Sequence, residues 1–443
     1  MAIAQQKTRL PPGPQAGEMA ELRHNPLVYW EYLYHTYGDM VTVSSGNMPV
    51  VLLFRPEHVR YLLIEQAQNF TTRELNRKLH DFLGEGLLTL NGEKHRQHRR
   101  LLQPAFHKKR IESYAPIMVQ YTLDMLDQWQ PGATIDLARA LRELTLRIIV
   151  KCLCDTDLAA HVRALGQAFV DVAETPPGFL EQRLGLHIDL PMTRYGKRMA
   201  ATRQINALIY PIIAAHQADG RDRGDVLSLL LTGQIEGSRL SYKQVRDHII
   251  TLISAGHDTT TDALVWTFYL LAEHPDVRAK LRQELHTVLA GRPPTLMDVP
   301  NLIYTEWVLN EAMRLYSPSW LQSRCAIEAF ELDGYRFPPR TIAIVSAWVT
   351  HRRPDLWEEA TAFRPERWDP VNGQKVPLGA YFPFGAGPRT CIGMPLAMQE
   401  MKLLLATILQ RYTPRLVPGY RLEPMPVVTL HPKHGMPVIL EPA

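Results

Sequence analysis

Apolar residues recur at spacings of three and four along most of the chain, and this periodicity predicts amphipathic helices. The segments that show it are PIMVQYTLDMLDQW, LARALRELTLRIIVKCL, QINALIYPIIAAHQ, DVRAKLRQELHTVLA, NLIYTEWVLNEAMRLY and MPLAMQEMKLLLATILQRY. The longest candidate is QVRDHIITLISAGHDTTTDALVWTFYLLAEHP, in which a group of polar residues interrupts an apolar helix. Helices therefore dominate the predicted structure from about residue 56 onward.

Short segments rich in β-formers predict small sheets beside the helices. MVTVSS and PVVLLF, joined by a Gly-Asn-Met turn, predict a hairpin, and FELDGYRF predicts another around its Asp-Gly pair. TIAIVSAWV predicts a strand, and the tail VVTLHPKHGMPVIL predicts a further hairpin. No internal repeat or low-complexity linker divides the chain. We therefore expect one domain over residues 1–443, mainly α with small β-sheets (α+β).

Two segments lack this periodicity. Residues 1–15 form a Pro-rich entry segment, and ETPPGFLEQRLGLHIDLPM carries three prolines and two glycines. The second segment predicts a loop region, and a mobile lid is a further interpretation of it.

Composition and charge narrow the class of protein only a little. Hydrophobic residues make up 46% and charged residues 21%, as in ordinary soluble globular proteins. The net charge of +4 excludes neither nucleic acid nor an acidic partner. The start of the chain is polar, and no run of about 18 apolar residues exists. We therefore expect a cytoplasmic protein without a membrane span.

The chain has four cysteines, too few for a secreted disulfide scaffold. Cys152 and Cys154 have no second Cys or His pair nearby, so we expect packed free thiols rather than a zinc site. Cys391 differs, because it lies in the glycine-rich stretch FGAGPRTCIG before a predicted helix. The helix dipole and Arg389 favour its thiolate, and the three glycines permit tight turns. It could be a nucleophile, a metal ligand or a buried thiol; a nucleophile needs a His base, and none lies nearby in sequence.

The pattern Phe-Gly-x-Gly-x-Arg-x-Cys-x-Gly resembles the haem-binding loop of the cytochrome P450 family, and every fixed position is filled. The resemblance extends from about Pro12 to the C-terminal hairpin, with the motifs in the family's order. It implies the cytochrome P450 fold, a triangular helical prism with the haem between the long central helix and the Cys-loop helix. It also implies haem (heme b, iron protoporphyrin IX) with Cys391 as proximal iron ligand, in a loop that includes Phe384 and Gly385. Thiolate ligation favours O–O cleavage.

The resemblance also implies partners for the haem propionates. Arg389 would pair with one propionate through a charge-assisted contact. His95 and Arg99 share one helix face in GEKHRQHRRLLQPAF, where the family often has tryptophan in place of His95. Arg324, ten residues after Arg314, matches another propionate-binding arginine of the family.

Glu311 and Arg314 lie one helical turn apart in NEAMRLYS, a spacing that by itself predicts an ordinary surface salt bridge. Their position resembles the family's Glu-x-x-Arg pair, and FRPERW resembles the meander that follows it. Arg367 would then close a structural Glu-Arg-Arg network that holds the loop under the haem.

The segment AGHDTT places Asp258 and Thr259 inside the long helix, where such residues are poor helix formers. A satisfied polar kink would explain them structurally. The segment resembles the oxygen-activating part of the family's central helix. By that resemblance Thr259 is the alcohol that steadies bound dioxygen, and Asp258 is the acid that relays protons.

The substrate pocket is predicted only in outline. FLGEGLLTLNG resembles a loop of bacterial fatty-acid hydroxylases in the family, which would place Leu88 over the haem. The further wall candidates, each also explained as ordinary core, are Ala255, Trp320, Leu321 and Val428. Apolar walls suggest a fatty acid, a terpenoid or a steroid, and Arg73 or Lys78 could anchor a carboxylate.

The basic stretch from Lys94 to Arg110 has three interpretations. It could be a solvated face, and nucleic acid lacks support because no aromatic residues interleave the charges. In the resembling family this region receives electron donors, so we expect an acidic ferredoxin- or flavodoxin-type donor with its reductase. No flavin or iron–sulfur segment follows residue 443, and we expect the donor to be a separate protein.

The expected activity is that of a monooxygenase, an oxidoreductase that inserts one oxygen atom from O2 into a C–H bond of an apolar substrate. The alternatives are a haem-thiolate protein that binds or senses a ligand without turnover, and a helical binding protein with a buried thiol. Asp258 and Thr259 together favour turnover.

Overall fold

The computed structural model describes residues 9–15, 18, 24–44, 48–72, 79–175 and 187–443. The chain divides into two compact units, which we call the sheet unit (Met1–Arg77 with Asn310–Ile392) and the helical unit (Lys78–Leu309 with Gly393–Ala443). Three predicted features lie wholly or mostly outside the described residues. They are the lid, the two candidate carboxylate anchors Arg73 and Lys78, and the tip of the first hairpin. None of the described helices is long and apolar enough to cross a membrane.

The described α-helices are α1 (Pro26–Tyr37), α2 (Pro56–Arg60), α3 (His80–Leu83), α4 (Gly92–Leu102), α5 (Lys108–Glu112), α6 (Ala115–Leu126), α7 (Leu137–Cys154), α8 (Val162–Glu174), α9 (Arg194–Asp219), α10 (Val226–Thr232), α11 (Tyr242–Glu273), α12 (Pro275–Leu289), α13 (Ile303–Leu315), α14 (Ala347–Thr350) and α15 (Met394–Leu409). The described strands are β1 (Met40–Ser44), β2 (Val50–Leu53), β3 (Phe70–Thr71), β4 (Thr134–Asp136), β5 (Gln234–Ile235), β6 (Ser238–Arg239), β7 (Leu321–Ala326), β8 (Phe330–Leu332), β9 (Tyr335–Phe337), β10 (Ile342–Ser346), β11 (Tyr412–Leu416), β12 (Pro424–Pro426), β13 (Leu430–Pro432) and β14 (Pro437–Pro442).

A five-stranded sheet in the order β1-β2-β10-β7-β3 organises the sheet unit. Strand β2 pairs antiparallel with β1 and parallel with β10. Because side chains alternate along a strand, Val51 and Leu53 pack into one apolar cluster while Leu52 packs into the other. The sheet is thus covered by apolar residues on both faces, which explains why β2 is an uninterrupted apolar run.

The structure confirms two predicted hairpin pairings and corrects two strand predictions. β1 pairs with β2 and β8 with β9, and Asp333 (φ 49°) and Gly334 (φ 76°) supply the left-handed turn of the second hairpin. The strand predicted over TIAIVSAWV ends at Ser346, because its hydroxyl accepts the Val349 N–H and starts α14.

The predicted tail hairpin is wrong. β13 pairs with β12, and β14 lies between β11 and β4 in a different sheet. In that position β14 is hydrogen-bonded along both edges, whereas a lone hairpin would satisfy only one edge.

Helix α11 is the longest element of the helical unit, and a capping box between Ser241 and Gln244 starts it. Helix α7 packs along it. Gly256 permits this approach, because a Cβ there would stand 2.9 Å from the Ile149 side chain. The hydroxyls of Thr145 and Thr261 join the two helices at 2.7 Å. Cys152 and Cys154, at the end of α7, are buried free thiols as predicted.

A fully buried carboxylate, Glu311, lies in the sheet unit and receives donors from three side chains. Arg314 donates to it twice, at 2.9 and 2.8 Å, Arg367 donates at 2.8 Å, and the indole of Trp368 donates at 3.0 Å. The side chains of Glu311 and Arg314 are 0% exposed, so the pair is not the surface salt bridge that the spacing alone suggested.

Arg314 also organises the irregular chain that follows α14. Its remaining N–H groups donate to the carbonyls of His351 and Ala360, both at 2.7 Å, and of Ala362 at 3.0 Å. The guanidinium therefore satisfies backbone acceptors that no helix or sheet would satisfy.

We expect Glu311→Gln to lower the free energy of unfolding by about 3–5 kcal/mol, because it leaves two buried guanidinium groups without a compensating charge. Chemical denaturation of the purified protein measures this loss. Glu359→Gln is the matched control, since Glu359 pairs with Arg364 at the surface and such pairs contribute about 0–1 kcal/mol. Equal losses in the two variants would contradict the structural role of Glu311.

Candidate functional site

The loop that carries Cys391 is closed by its own backbone. The Cys391 N–H donates to the Phe384 carbonyl at 2.9 Å, and the Cys391 side chain is exposed. Gly385 (φ 71°) and Gly387 (φ 69°) take left-handed conformations that other residues rarely adopt. Gly393 does not: its φ is −88°, and it is the N-cap of α15. Two glycines, rather than the predicted three, therefore make the tight turns.

Close packing holds this loop in place. A Cβ at Gly387 would overlap the Leu63 carbonyl, and a Cβ at Gly385 would stand 2.8 Å from the Gln322 side chain. The loop thus rests on the π-helix Tyr61–Glu65 within the sheet unit. Its conformation is set by these contacts, and the thiol of Cys391 is presented outward.

Two arginines of the sheet unit lie near one another. Arg324, on β7, donates to the Ser323 carbonyl at 2.9 Å and to Gln322 at 3.4 Å. Among the described residues no carboxylate lies within ion-pair distance of it. Burial lowers the pKa of Arg324 to about 10, and the positive charge of Arg389 adds to this effect. Arg324 and Arg389 are neighbouring cations, and Arg324 has no carboxylate partner among the described residues. This arrangement indicates a binding site for an external anion.

These features of the sheet unit fit the haem that the sequence predicts. An outward-facing cysteine thiol is a suitable iron ligand, and the arginine pair suits the propionate carboxylates of the porphyrin. A cysteine enclosed by its own loop, or an Arg324 already neutralised by a protein carboxylate, would not have fitted.

In the helical unit, α11 is continuous through the segment from Ala255 to Thr260, so the polar residues do not break the helix. The Thr259 hydroxyl donates to the Ala255 carbonyl at 2.7 Å. Because that bond uses the hydroxyl proton, the lone pairs of the oxygen can still accept a hydrogen bond. Ala255 is exposed, and Thr259 is partly buried.

The carboxylate of Asp258 is 25% exposed, and its Oδ1 lies 3.0 Å from Nε2 of the buried His257. Burial raises the pKa of Asp258, but the neighbouring His257, with Arg142 and His431, outweighs it, and the net pKa lies below the usual range. Asp258 is therefore ionised at neutral pH. His257 was missed in the sequence, where a histidine directly before the acid was the only available signal.

The helix α4 carries the predicted propionate partners His95, which is buried, and Arg99, which is partly buried. Lys94, Arg96 and Arg100 on the same helix are exposed. His98 does not belong to the basic surface: it is buried, and its Nδ1 lies 2.7 Å from Nε2 of His248.

Leu88 is 44% exposed, at the tip of a loop that is fixed to α11. Asp247 accepts the Glu85 N–H at 2.8 Å, and Gly86 packs so closely on Thr251 that no Cβ would fit. Thr251 lies one helical turn before Ala255, so Leu88 and Ala255 belong to neighbouring parts of the helical unit.

The other predicted pocket residues differ in exposure. Val428 is 58% exposed in the turn between β12 and β13, and Leu321 is partly buried at the start of β7. Trp320 is buried, and its ring lies 5.0 Å from that of Trp30. Its position favours the core interpretation within the sheet unit.

Comparison with known proteins agrees with this geometry. A family model described as Cytochrome P450 matches residues 9–437. Cyclooctatin synthase of Streptomyces melanosporofaciens is 36% identical over 423 residues, which cover 94% of this chain and 92% of that protein. Pentalenene oxygenase of Streptomyces avermitilis is 30% identical over 425 residues, covering 95% and 94%. The solved structure "Retinoic acid bound cyanobacterial CYP120A1" has a TM-score of 0.87 and 27% identity, and covers 99% of this chain and 100% of that one.

The family match spans nearly the whole chain, and the helix-rich fold with small sheets agrees with that of the solved relative. The predictions of fold class, of haem b as cofactor and of monooxygenase activity are therefore confirmed. Members of this family generally receive electrons from redox partners and bind apolar substrates. The chain belongs to the cytochrome P450 family of haem monooxygenases.

Proposed function

We propose that this enzyme inserts one oxygen atom from O2 into a C–H bond of a terpenoid, with electrons from a separate ferredoxin- or flavodoxin-type donor. The observation that carries the proposal is the full-length similarity to oxygenases named for such skeletons. Besides the two proteins named above, cyclooctat-9-en-7-ol 5-monooxygenase is 34% identical and covers 92% of this chain. The solved relative holds an isoprenoid ligand, retinoic acid.

Haem, when bound, supplies O2 activation and the insertion of one oxygen atom into the substrate. Cys391 would hold the iron through its thiolate, in the loop that includes Phe384 and Gly385. Arg324 and Arg389 would bind the propionates, with His95 and Arg99 as further partners. Glu311, Arg314 and Arg367 would act indirectly, by fixing the backbone that precedes this loop.

Asp258 and Thr259 would transfer the protons that the reaction consumes. Asp258 is ionised and partly exposed, so its carboxylate can take a proton from solvent and release it again. The Thr259 oxygen, oriented by its bond to the Ala255 carbonyl, can accept a hydrogen bond, and its own O–H would pass a proton onward by turning from that carbonyl toward the acceptor. Together they would form a relay from the helix surface to the oxygen-binding position.

A terpenoid fits the exposed apolar residues of the helical unit better than a charged ligand does. Leu88, Ala255 and Val428 offer no polar group, and burial of apolar ligand surface against them would be the main source of affinity.

The proposed electron donor is acidic. Lys94, Arg100, Lys108 and Lys109 are exposed on or beside α4 and α5, and such a basic surface steers an acidic protein electrostatically. The ion pair of Lys108 with Glu112 is long, at 3.8 Å, so the positive charge of this surface remains available to a partner.

We expect Cys391→Ala to lose the Soret absorption typical of a thiolate-bound haem, because the variant has no ligand at the iron position. Absorption spectra of the reduced, carbon monoxide-treated protein measure this. Cys325→Ala is the control, since it removes a buried thiol from β7 and should leave the spectrum unchanged. A thiolate spectrum in Cys391→Ala would remove the ligand assignment.

We expect Thr259→Ala to divert turnover to peroxide and to lower the product formed per NADPH by about tenfold or more, because the relay loses its hydroxyl. Thr267→Ala is a matched control on the same helix: its hydroxyl makes the same type of bond, to the Ala263 carbonyl at 2.7 Å. Unchanged coupling in Thr259→Ala, or equal uncoupling in both variants, would speak against the proposed role.

A substrate titration of the ferric protein tests the proposed function directly. The panel holds neutral sesquiterpenes and diterpene alcohols, steroids, and fatty acids of matched carbon number. We expect a saturable shift of the Soret band to high spin with terpenoids, followed by hydroxylated product when a surrogate ferredoxin and reductase are added. A shift with fatty acids alone would overturn the terpenoid assignment and indicate a carboxylate anchor instead.

A further inference from the structure

His257 is fixed in one orientation inside the helical unit. Its side chain is 0% exposed, and its ring lies 4.9 Å from that of Phe169 on α8. Nδ1 lies 2.9 Å from the Ile253 carbonyl. A carbonyl can only accept a hydrogen bond, so Nδ1 must carry a proton. The state of the imidazole therefore depends on Nε2 alone.

Nε2 is the unusual atom of this ring. It is buried and has no aligned hydrogen-bond partner among the described residues, yet it lies 3.0 Å from Oδ1 of Asp258. In a neutral imidazole the electron-rich Nε2 would lie 3.0 Å from an anionic carboxylate oxygen, and the two atoms would repel each other. Both arrangements that avoid this repulsion place one proton on the pair, either on Nε2 or on the carboxyl group.

The backbone around the pair is held independently of the proton. The Thr145 hydroxyl of α7 contacts the His257 carbonyl oxygen at 3.3 Å. The charged or titratable groups that neighbouring elements direct at Asp258 are Arg142 of α7 and His431 of β13, whereas α8 contributes the uncharged ring of Phe169. Arg142, His257 and His431 all favour the ionised carboxylate, and Nε2 of His257 lies within hydrogen-bonding distance of it.

We propose that His257 and Asp258 act as one proton-sharing pair that stores the proton delivered through Thr259. The pair takes one proton from solvent, and Nε2 holds it while the carboxylate stays ionised. The proton then moves to the carboxyl oxygen and onward to the Thr259 side, and the pair is refilled from solvent. No electron transfer is involved, and His257 is a positioning and proton-holding residue. The inference rests on the proposed function, because it assigns Asp258 the role of relay.

Two substitutions separate proton storage from packing. His257→Asn can keep the bond from the Nδ1 position to Ile253 but has no group near Asp258. His257→Gln places a neutral donor near the Nε2 position but cannot release a proton. Phe169→Leu is the control, since it removes the ring contacts with His257 and Phe82 but no polar group. Haem content and thermal midpoints establish that each variant is folded, and either of the two histidine variants suffices for the test.

The first readout is the infrared carboxyl band of Asp258 in the ferric, substrate-free enzyme, assigned by its absence in Asp258→Asn. We expect the protonated band of Asp258 to persist to a pH at least about one unit higher in both histidine variants, because burial then raises its pKa without the opposing imidazole. The Phe169→Leu midpoint should match the wild type. An unchanged midpoint in His257→Asn and His257→Gln overturns the inference.

The second readout is coupling as a function of pH. We expect product per NADPH to fall about tenfold in both histidine variants at about pH 7.5, with peroxide formed instead. If the role of His257 were only structural, glutamine at this position would preserve coupling. Wild-type coupling in His257→Gln therefore also overturns the inference. The infrared readout needs no substrate. A negative terpenoid titration would therefore not contradict the proton-sharing pair. A negative result for the pair would likewise not contradict the proposed function.

Discussion

The buried charge of Glu311 is the interaction on which the sheet unit depends. Neither a helix nor a sheet organises much of the chain between His351 and Trp368, so its carbonyls need donors from side chains. Arg314 supplies them only because Glu311 neutralises its charge in the interior. The effect continues toward the cofactor loop, since Nε2 of His351 accepts the Phe382 N–H at 3.1 Å. The cofactor loop is thus held at one end by a chain of hydrogen bonds that starts at one carboxylate.

The need of buried polar groups for hydrogen-bond partners also determines the side-chain contacts in the polar segment of α11. Thr259 and His257 each donate to the carbonyl four residues earlier, at 2.7 and 2.9 Å. A local bond of this kind uses one donor of the side chain and fixes its direction, so the lone pairs of the Thr259 oxygen and the Nε2 atom of His257 are left for chemistry. Thr267 makes the identical bond two turns later without an acid beside it, which shows that the bond alone does not make a functional site.

Periodicity and local motifs predicted most helices, the loop around Cys391 and the polar segment of α11, because these depend on residues close in sequence. The failures concern partners far away in the chain. The tail was predicted as a hairpin, yet β14 pairs with β11 and β4 because the alternation of buried residues does not identify the neighbouring strand. His98 was placed on a basic surface, and only the packing of α4 on α11 reveals its contact with His248. Likewise, Glu311 and Arg314 lie three residues apart, and this spacing occurs both in surface salt bridges and in buried networks. The sequence alone therefore did not show that the pair is buried.

The two acidic centres, Glu311 and Asp258, differ in the basic groups that surround them, and this difference suits their roles. Glu311 is neutralised by Arg314 and Arg367, and the guanidinium group of arginine is a permanent cation in proteins. Asp258 is surrounded by Arg142 and by two histidines, the residue type that exchanges protons most readily near neutrality. Burial lowers the pKa of His431, so at neutral pH that imidazole is mostly uncharged, whereas Nε2 of His257 lies 3.0 Å from the carboxylate. A permanent cation in direct contact with Asp258 would hold the carboxylate ionised and oppose its protonation. A histidine allows the same carboxylate to be stabilised and then protonated within one catalytic cycle.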